Sequence, residues 1–266
     1  MRHIFLLIAV MAMVGCGKKT TPAEPETNTE PKAAGTKPTP PKAFTNTLGM
    51  KFVSVPETDV WFCVWETRVK DYAVYAAANP DVDGNWKEPG FKQEDTHPVV
   101  NVSWEDAQAF CEWLTKKELA AGKIKARQKY RLPKDAEWSV AVGLGKELGD
   151  TPEAKDGDIK DVYPWGKEWP PPKGAGNYAE DLKVDKFENT ASVGSFEANQ
   201  FGLHDMGGNV LEWCQEKLNS TSSPRVLRGL SWGTFGPGWL LSSFRSTYNP
   251  HVRVSDVGFR CVLVGK

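Results

Sequence analysis

Phe201-Gly202-Leu203-His204-Asp205-Met206-Gly207-Gly208-Asn209-Val210-Leu211-Glu212-Trp213 is the stretch whose reading decides the fold. Its glycines argue against a helix, and its apolar residues do not alternate as a plain strand requires. It reads as a folded loop. Phe201, Leu203, Met206, Val210 and Trp213 face inward, and Asp205, Asn209 and Glu212 supply oxygens. Gly202, Gly207 and Gly208 mark places where the backbone takes shapes that only glycine adopts freely. Such a loop aims a carboxylate and several carbonyls at one point, which a hard cation such as calcium needs.

Outward from this loop, the two ends of the chain differ in kind. Residues 1–15 carry a positive Arg2, an apolar run and a small-residue site ending at Cys16. This is the pattern of a secretory signal, too short to span a bilayer stably. Val14-Gly15-Cys16 resembles a bacterial lipobox, which implies lipidation of Cys16, and Gly17 implies delivery to the outer membrane. The segment over 16–42 is rich in Pro, Thr, Glu and Lys and has no aromatic residue. It buries too little apolar surface to fold alone and is expected to be a disordered tether.

Residues 43–266 form the expected domain and hold all 11 tryptophans of the chain. The formal charge of −1 and the absence of a basic patch exclude nucleic acid as a partner. Four cysteines follow the lipobox: Cys63, Cys111, Cys214 and Cys261. They allow three pairings, and none sits in a C-x-x-C of the kind used for zinc.

Two strands are expected over 52–55 and 60–65, then a helix capped by Thr67 that ends before Asn79-Pro80. A strand is expected over 98–102. Ser103-Trp104-Glu105-Asp106 has the form of a capping box, and Trp104, Ala107, Cys111 and Leu114 share one face of the helix it opens. A further helix follows Pro133, a strand starts at Arg225, and a final strand covers 258–263. Between them lie long loops.

These runs, in this order, resemble the sulfatase-modifying-factor, or formylglycine-generating enzyme, domain. The resemblance rests on His97-Pro98-Val99, Val102-Ser103-Trp104, Arg131-Leu132-Pro133 with Ala136-Glu137-Trp138, and Tyr163-Pro164-Trp165-Gly166. It continues through Val193-Gly194-Ser195-Phe196, Asn199, the opening loop, Arg225-Val226 with Arg228-Gly229, Arg245 and Gly258-Phe259-Arg260. It implies a compact, loop-rich α+β fold related to C-type lectin-like domains. It also implies one or two structural calcium ions. One set would be the Asp205 side chain with backbone oxygens at Met206, Gly208 and Val210. The other would be Asn177 and Asp185 with the carbonyls of Tyr178 and Phe187. Turn capping is the competing role for Asp205 and Asn177. The resemblance further implies a Cys111–Cys261 disulfide, with Cys63 and Cys214 left as buried thiols or a second bridge.

The family's oxidases use two cysteines that bind copper(I), in the segment after the Arg-Val-x-Arg run; soft thiolates select that ion. Here that segment is Arg228-Gly229-Leu230-Ser231-Trp232-Gly233-Thr234-Phe235-Gly236-Pro237-Gly238-Trp239, and no cysteine lies between Cys214 and Cys261. No copper and no catalytic residue are therefore expected. Leu230 also stands where the family has glycine. His97, His204 and His251 make no pair with metal-ligand spacing. Ser231, Trp232, Trp239, Arg245 and Tyr248 are read as a ligand cleft, since aromatic faces beside an arginine suit a peptide or a sugar. The resulting expectation is a monomeric, lipid-anchored, non-catalytic module that binds an exported protein, peptide or glycan in the cell envelope. A divergent oxidoreductase and a structural envelope protein are the alternatives.

Overall fold

The computed structural model describes residues 42–265. The expected signal (1–15), the expected lipidation site Cys16 and the expected tether apart from Lys42 lie outside them. Among the described residues no helix is long and apolar enough to cross a membrane.

In chain order the elements are β1 (Ala43–Thr45), β2 (Lys51–Ser54), β3 (Val60–Cys63), α1 (Val69–Ala78), α2 (Trp104–Ala120), β4 (Lys129–Arg131), α3 (Asp135–Val142) and α4 (Pro152–Lys155). They continue with β5 (Leu211–Lys217), β6 (Arg225–Arg228), β7 (Ser246–Tyr248), β8 (Val257–Gly258) and β9 (Val262–Val264). The long stretch between α4 and β5 has one short 3-10 turn, Glu180–Leu182, and no strand. This is the loop-rich α+β architecture expected from the sequence.

The first sheet runs β1-β2-β3-β9-β4, and every pair in it is antiparallel. Side chains alternate across a strand, and here both faces are covered. Phe52, Cys63, Tyr130 and Leu263 pack into the core with Phe110, Cys111 and Leu114 of α2. Their neighbours Val53, Phe62 and Val262 pack on the other face with Trp138 and Ala141 of α3. Burying a side chain such as Phe110 contributes about 1.5–3 kcal/mol. The second sheet runs β7-β6-β5-β8, with β5 and β8 parallel.

Helix α2 starts as its sequence requires. Ser103 Oγ accepts the Asp106 amide at 3.1 Å, and the Asp106 carboxylate accepts the Ser103 amide at 2.8 Å. Such a cap stabilises by about 1 kcal/mol. Helix α1 starts one residue later than expected, at the cap residue Arg68. The Thr67 hydroxyl is buried beside Cys261 Sγ, 3.9 Å away, and does not reach the helix amides. Asp71 instead accepts from the Arg68 amide and from Arg68 Nε.

Three other expectations change. The run over 98–102 is not a strand. Pro98 makes one bridge, to Arg68, and Asn101 turns into the left-handed region at φ 55°. The last strand is two pieces: β8 belongs to the second sheet and β9 to the first. The chain changes sheets at Phe259-Arg260-Cys261, where the fully buried Arg260 turns toward Glu212. Finally, Leu211, Glu212 and Trp213 are not loop but the start of β5.

Candidate functional site

The loop over 201–210 is built by local hydrogen bonds. Asn199 Oδ1 accepts the amides of Phe201 and Leu203, and Asn199 Nδ2 donates to Ala141 O. Gly202 and Gly208 have positive φ, as do the non-glycine residues Asp205 (54°) and Asn209 (63°). Gly207 is required for another reason. A Cβ there would lie 2.3 Å from Pro164 Cγ and 2.9 Å from the Tyr178 hydroxyl.

Of the three side chains read as oxygen donors, two are already committed. Glu212 is fully buried and pairs with Arg260, whose Nη2 reaches Glu212 Oε1 at 2.6 Å. Trp138 Nε1 donates to Glu212 Oε2. Asn209 Oδ1 accepts from Asn177 Nδ2 and the Ala191 amide, while Asn209 Nδ2 donates to Glu66 Oε2 at 2.7 Å. Asp205 differs. Its Oδ2 accepts the Gly194 amide at 2.7 Å, and its Oδ1 accepts from no described residue. Arg260 Nη2 also donates to the carbonyls of His204 and Asp205, which ties the loop to the pair beneath it.

Nothing in the sequence singles out Glu66. It is buried beside Asp205 and Glu212, and it accepts from Asn209 Nδ2 and the Val210 amide. Burial, then the charges of Asp205 and Glu212, push its pKa well above the usual carboxylate range. Burial also raises Asp205, against the Gly194 amide and Arg260, which lower it. Three carboxylates are thus buried together; Glu212 bonds Arg260, and Glu66 and Asp205 feel only its charge.

A calcium ion is implied by the resemblance, and the residues can be tested by what they leave unpaired. At the first set, the carbonyls of Met206, Gly208 and Val210 accept no hydrogen bond from described residues, like Asp205 Oδ1. The Met206 and Val210 carbonyls both border Gly229: a Cβ there would be 3.8 and 3.7 Å from them. These oxygens fit a hard cation. At the second set, Asn177 Oδ1 is buried without a partner. Asp185, however, accepts the amides of Tyr178 (3.0 Å) and Phe187 (2.8 Å), one on each oxygen, as a turn cap does. The second set fits less well. No group of three or more His, Cys, Asp or Glu able to hold a metal occurs among the described residues. Sites built mainly of carbonyls would not form one.

Asp205 and Met206 of the first set, and Asp185 and Phe187 of the second, border one cavity of about 890 Å³. Trp165, Phe196, Lys173, Lys186 and Glu197 also line it.

The segment read as a ligand cleft is dispersed. Ser231 is buried, and its Oγ lies 3.2 Å from Asp256 Oδ2. Trp232 is half-buried; its amide donates to Asn209 O and its ring meets Phe91 edge-on at 5.9 Å. Trp239 is 59% exposed and Phe235 61% exposed. Tyr248 is half-buried in β7, paired with Arg225. Arg245 is not on a cleft at all. It lies in the core, bonded to Asp135 and Glu147 and to the carbonyls of Lys155 and Ser243. Arg228 joins the same cluster through Asp135 Oδ1 and stacks over Trp138 at 4.5 Å. Leu230 keeps a left-handed backbone at φ 68°, the conformation that glycine favours.

The four cysteines among the described residues are buried. Cys111 Sγ and Cys261 Sγ face each other at 3.4 Å as free thiols. Burial pushes the Cys63, Cys214 and Cys261 thiols up. Among the histidines, His97 Nδ1 is 3.0 Å from Thr190 Oγ1 and burial lowers its pKa, His204 Nδ1 is 2.8 Å from Phe196 O, and exposed His251 meets Glu105.

Comparison with known proteins places this geometry. Residues 27–264 match the model of the sulfatase-modifying factor enzyme 1-like domain. "Inactive C-alpha-formylglycine-generating enzyme 2" of Bos taurus is 31% identical over 66% of this chain and 55% of its own length. The formylglycine-generating enzyme of Thermomonospora curvata is also 31% identical, over 66% of this chain and 60% of its own. The chain therefore spans little more than half the length of these relatives. Among solved structures, PvdO from Pseudomonas aeruginosa superposes with a TM-score of 0.61 at 19% identity, covering 85% of this chain and 99% of PvdO. Treponema denticola variable protein 1 gives 0.56 at 20% identity, covering 83% of this chain and 98% of its own.

Proposed function

The chain belongs to the sulfatase-modifying factor enzyme 1-like family, and from that premise we propose that it is a non-catalytic, calcium-stabilised binding module of the bacterial cell envelope. The observation that carries this reading is the distribution of its thiols. The copper chemistry that the resemblance implies needs a pair of accessible thiolates. No cysteine lies between Cys214 and Cys261. The four in the domain are at most 1% exposed. One relative is itself named as inactive, so loss of the reaction has a precedent by name within the family.

In this reading the Asp205 loop is a brace. Calcium bound by Asp205 and the Met206, Gly208 and Val210 carbonyls would offset the excess of buried carboxylate. A Cys111–Cys261 disulfide, formed after export, would close a loop of 150 residues between them in sequence and add up to about 5 kcal/mol in the chain-entropy model. Lipid on Cys16 would hold the domain at the outer membrane. The exposed rings of Phe235 and Trp239, near Trp232, would contact an exported protein, peptide or glycan, and Arg245 would serve only to support that segment from below.

The test uses the full chain. Cross-linking in intact cells should capture a partner that is lost with Trp239→Ala while the folded population is unchanged. Oxygen uptake with cysteine-containing peptides should stay at background with copper or iron added. Palmitate labelling should vanish with Cys16→Ser, and the oxidised protein should weigh two hydrogens less than the reduced one. Turnover of any cysteine peptide would overturn the non-catalytic reading.

A further inference from the structure

We propose that the cavity above the Asp205 loop is a carbohydrate site, taking the ring of a neutral oligosaccharide between aromatic walls. The inference rests on the reading of the protein as a binding module, but it names a different place and commits to one ligand class.

Size comes first. About 890 Å³ is within the range of small-molecule sites and exceeds what one ordered side chain fills. The walls come next. Trp165 and Pro164 line the cavity. Trp165 is held rigidly: its indole N–H donates to Glu168 O, its ring lies flat on Tyr163 at 4.9 Å, and it meets Tyr178 edge-on. Phe187 and Phe196 also line the cavity and pack against each other edge-to-face at 6.0 Å. Rigid, partly exposed aromatic faces suit the C–H faces of a sugar and lose little entropy on binding.

Polar groups of the lining complete the match. Glu197 and Lys173 line the cavity and bond to no described residue, one an acceptor and one a donor, while the free oxygens of Asp205 and Met206 belong to the calcium proposed above. Sugar hydroxyls can meet both without adding a charge. An anionic polymer would meet Asp205 and Glu197, and an extended cationic peptide would meet Lys173 and Lys186. Charges of both signs along the lining therefore favour a neutral ligand. The exposed rings of Phe235 and Trp239 are not part of this lining.

The experiment is a calorimetric titration of the full chain with tetrasaccharides of glucose, mannose and N-acetylglucosamine, each in calcium and in chelator. A Lys-rich and a Glu-rich peptide serve as charged comparisons. At least one neutral tetrasaccharide should bind saturably. Its affinity should fall about tenfold with Phe196→Ala and with Trp165→Phe, at unchanged melting temperature, whereas Leu119→Ala on α2 should leave it intact. Two substitutions are used because Trp165 also packs on Tyr163 and Tyr178. Binding by none of the three sugars overturns the proposal, as does sugar binding that survives both substitutions or preference for either peptide. If sugars fail but Trp239-dependent capture in cells persists, the carbohydrate site falls and the binding-module reading stands.

Discussion

Two clusters of charge are buried in this domain, and they are built on opposite plans. Around Asp135, two carboxylates meet two arginines: Asp135 binds Arg228 and Arg245, and Arg245 also binds Glu147. Half-buried Glu216 accepts the Asp135 amide at the start of α3, where the helix dipole favours an anion. Around Asp205, three carboxylates (Glu66, Asp205 and Glu212) are buried together, and only Glu212 pairs with the buried Arg260. A buried ion pair survives desolvation only when its partners and hydrogen bonds are complete. The first cluster is complete. The second is complete at Glu212 and Arg260 but leaves an oxygen of Asp205 and nearby carbonyls unpaired. The first cluster is a clamp; the second leaves oxygens free for the calcium proposed above.

The shifts in ionisation follow the same division. At Asp135 burial acts to raise the pKa, but Arg228 and Arg245 outweigh it and hold the carboxyl below its usual range. At Glu66 burial raises the pKa and neighbouring carboxylates add to the rise.

The most forceful way to break this contrast is to remove the centre of the clamp. Asp135→Ala leaves Arg228 buried without its carboxylate partner and Arg245 with Glu147 alone, and should cost about 3–5 kcal/mol. Urea unfolding measures it, and a loss below about 1 kcal/mol would mean that the clamp contributes little.

Next in size is the effect of the proposed calcium. Calcium at about one hundred times its dissociation constant should raise stability by about 2.7 kcal/mol, read as a higher melting temperature. Asp205→Ala should abolish the calcium-dependent rise while changing stability in chelator far less than Asp135→Ala does. An equal response to calcium in Asp205→Ala would remove the first set as the site.

The smallest effect, and the sharpest in sign, is with pH. A lowered folded-state pKa contributes stability that is present above the usual carboxylate range and is lost as pH falls through the depressed value. Asp135 should therefore stabilise the fold at neutral pH and make stability pH-dependent only in acid, as pH falls below the usual carboxylate range. A raised pKa works the other way. In chelator, stability should increase as pH falls from neutral toward the usual carboxylate range. Each tenfold gain in a carboxylate's proton affinity on folding corresponds to about 1.4 kcal/mol of that increase. Calcium should flatten the rise. If stability in chelator instead fell steadily from pH 7 to 5, Glu66 and Asp205 would not be the strained groups.

Much of this is legible in the residues. The capping box at Ser103, the buried face through Ala107, Cys111 and Leu114, and the facing of Cys111 and Cys261 follow local pattern or register with the family. Where sequence and structure part, the causes are physical. The run over 258–263 is continuously apolar apart from Arg260, so nothing local shows that it changes sheets. Gly207 has the sequence context of a positive-φ position, but its constraint is the approach of Pro164 and Tyr178, which are distant in sequence. Arg245 resembles a cleft residue because aromatics surround it in the chain; its partners are Asp135 and Glu147, about a hundred residues away. Glu66 gives no sequence signal, because a carboxylate beside a strand is ordinarily solvated.

By itself the sequence determined the family, the loop-rich α+β class and the lack of any cysteine between Cys214 and Cys261, since each depends on residue identity and order. Tertiary structure alone decided which charges are buried together. Ion pairing in a low-dielectric interior depends on distances set by packing, and Asp135 with Arg245, or Glu66 with Asp205, become neighbours only when both sheets and α3 have closed around them.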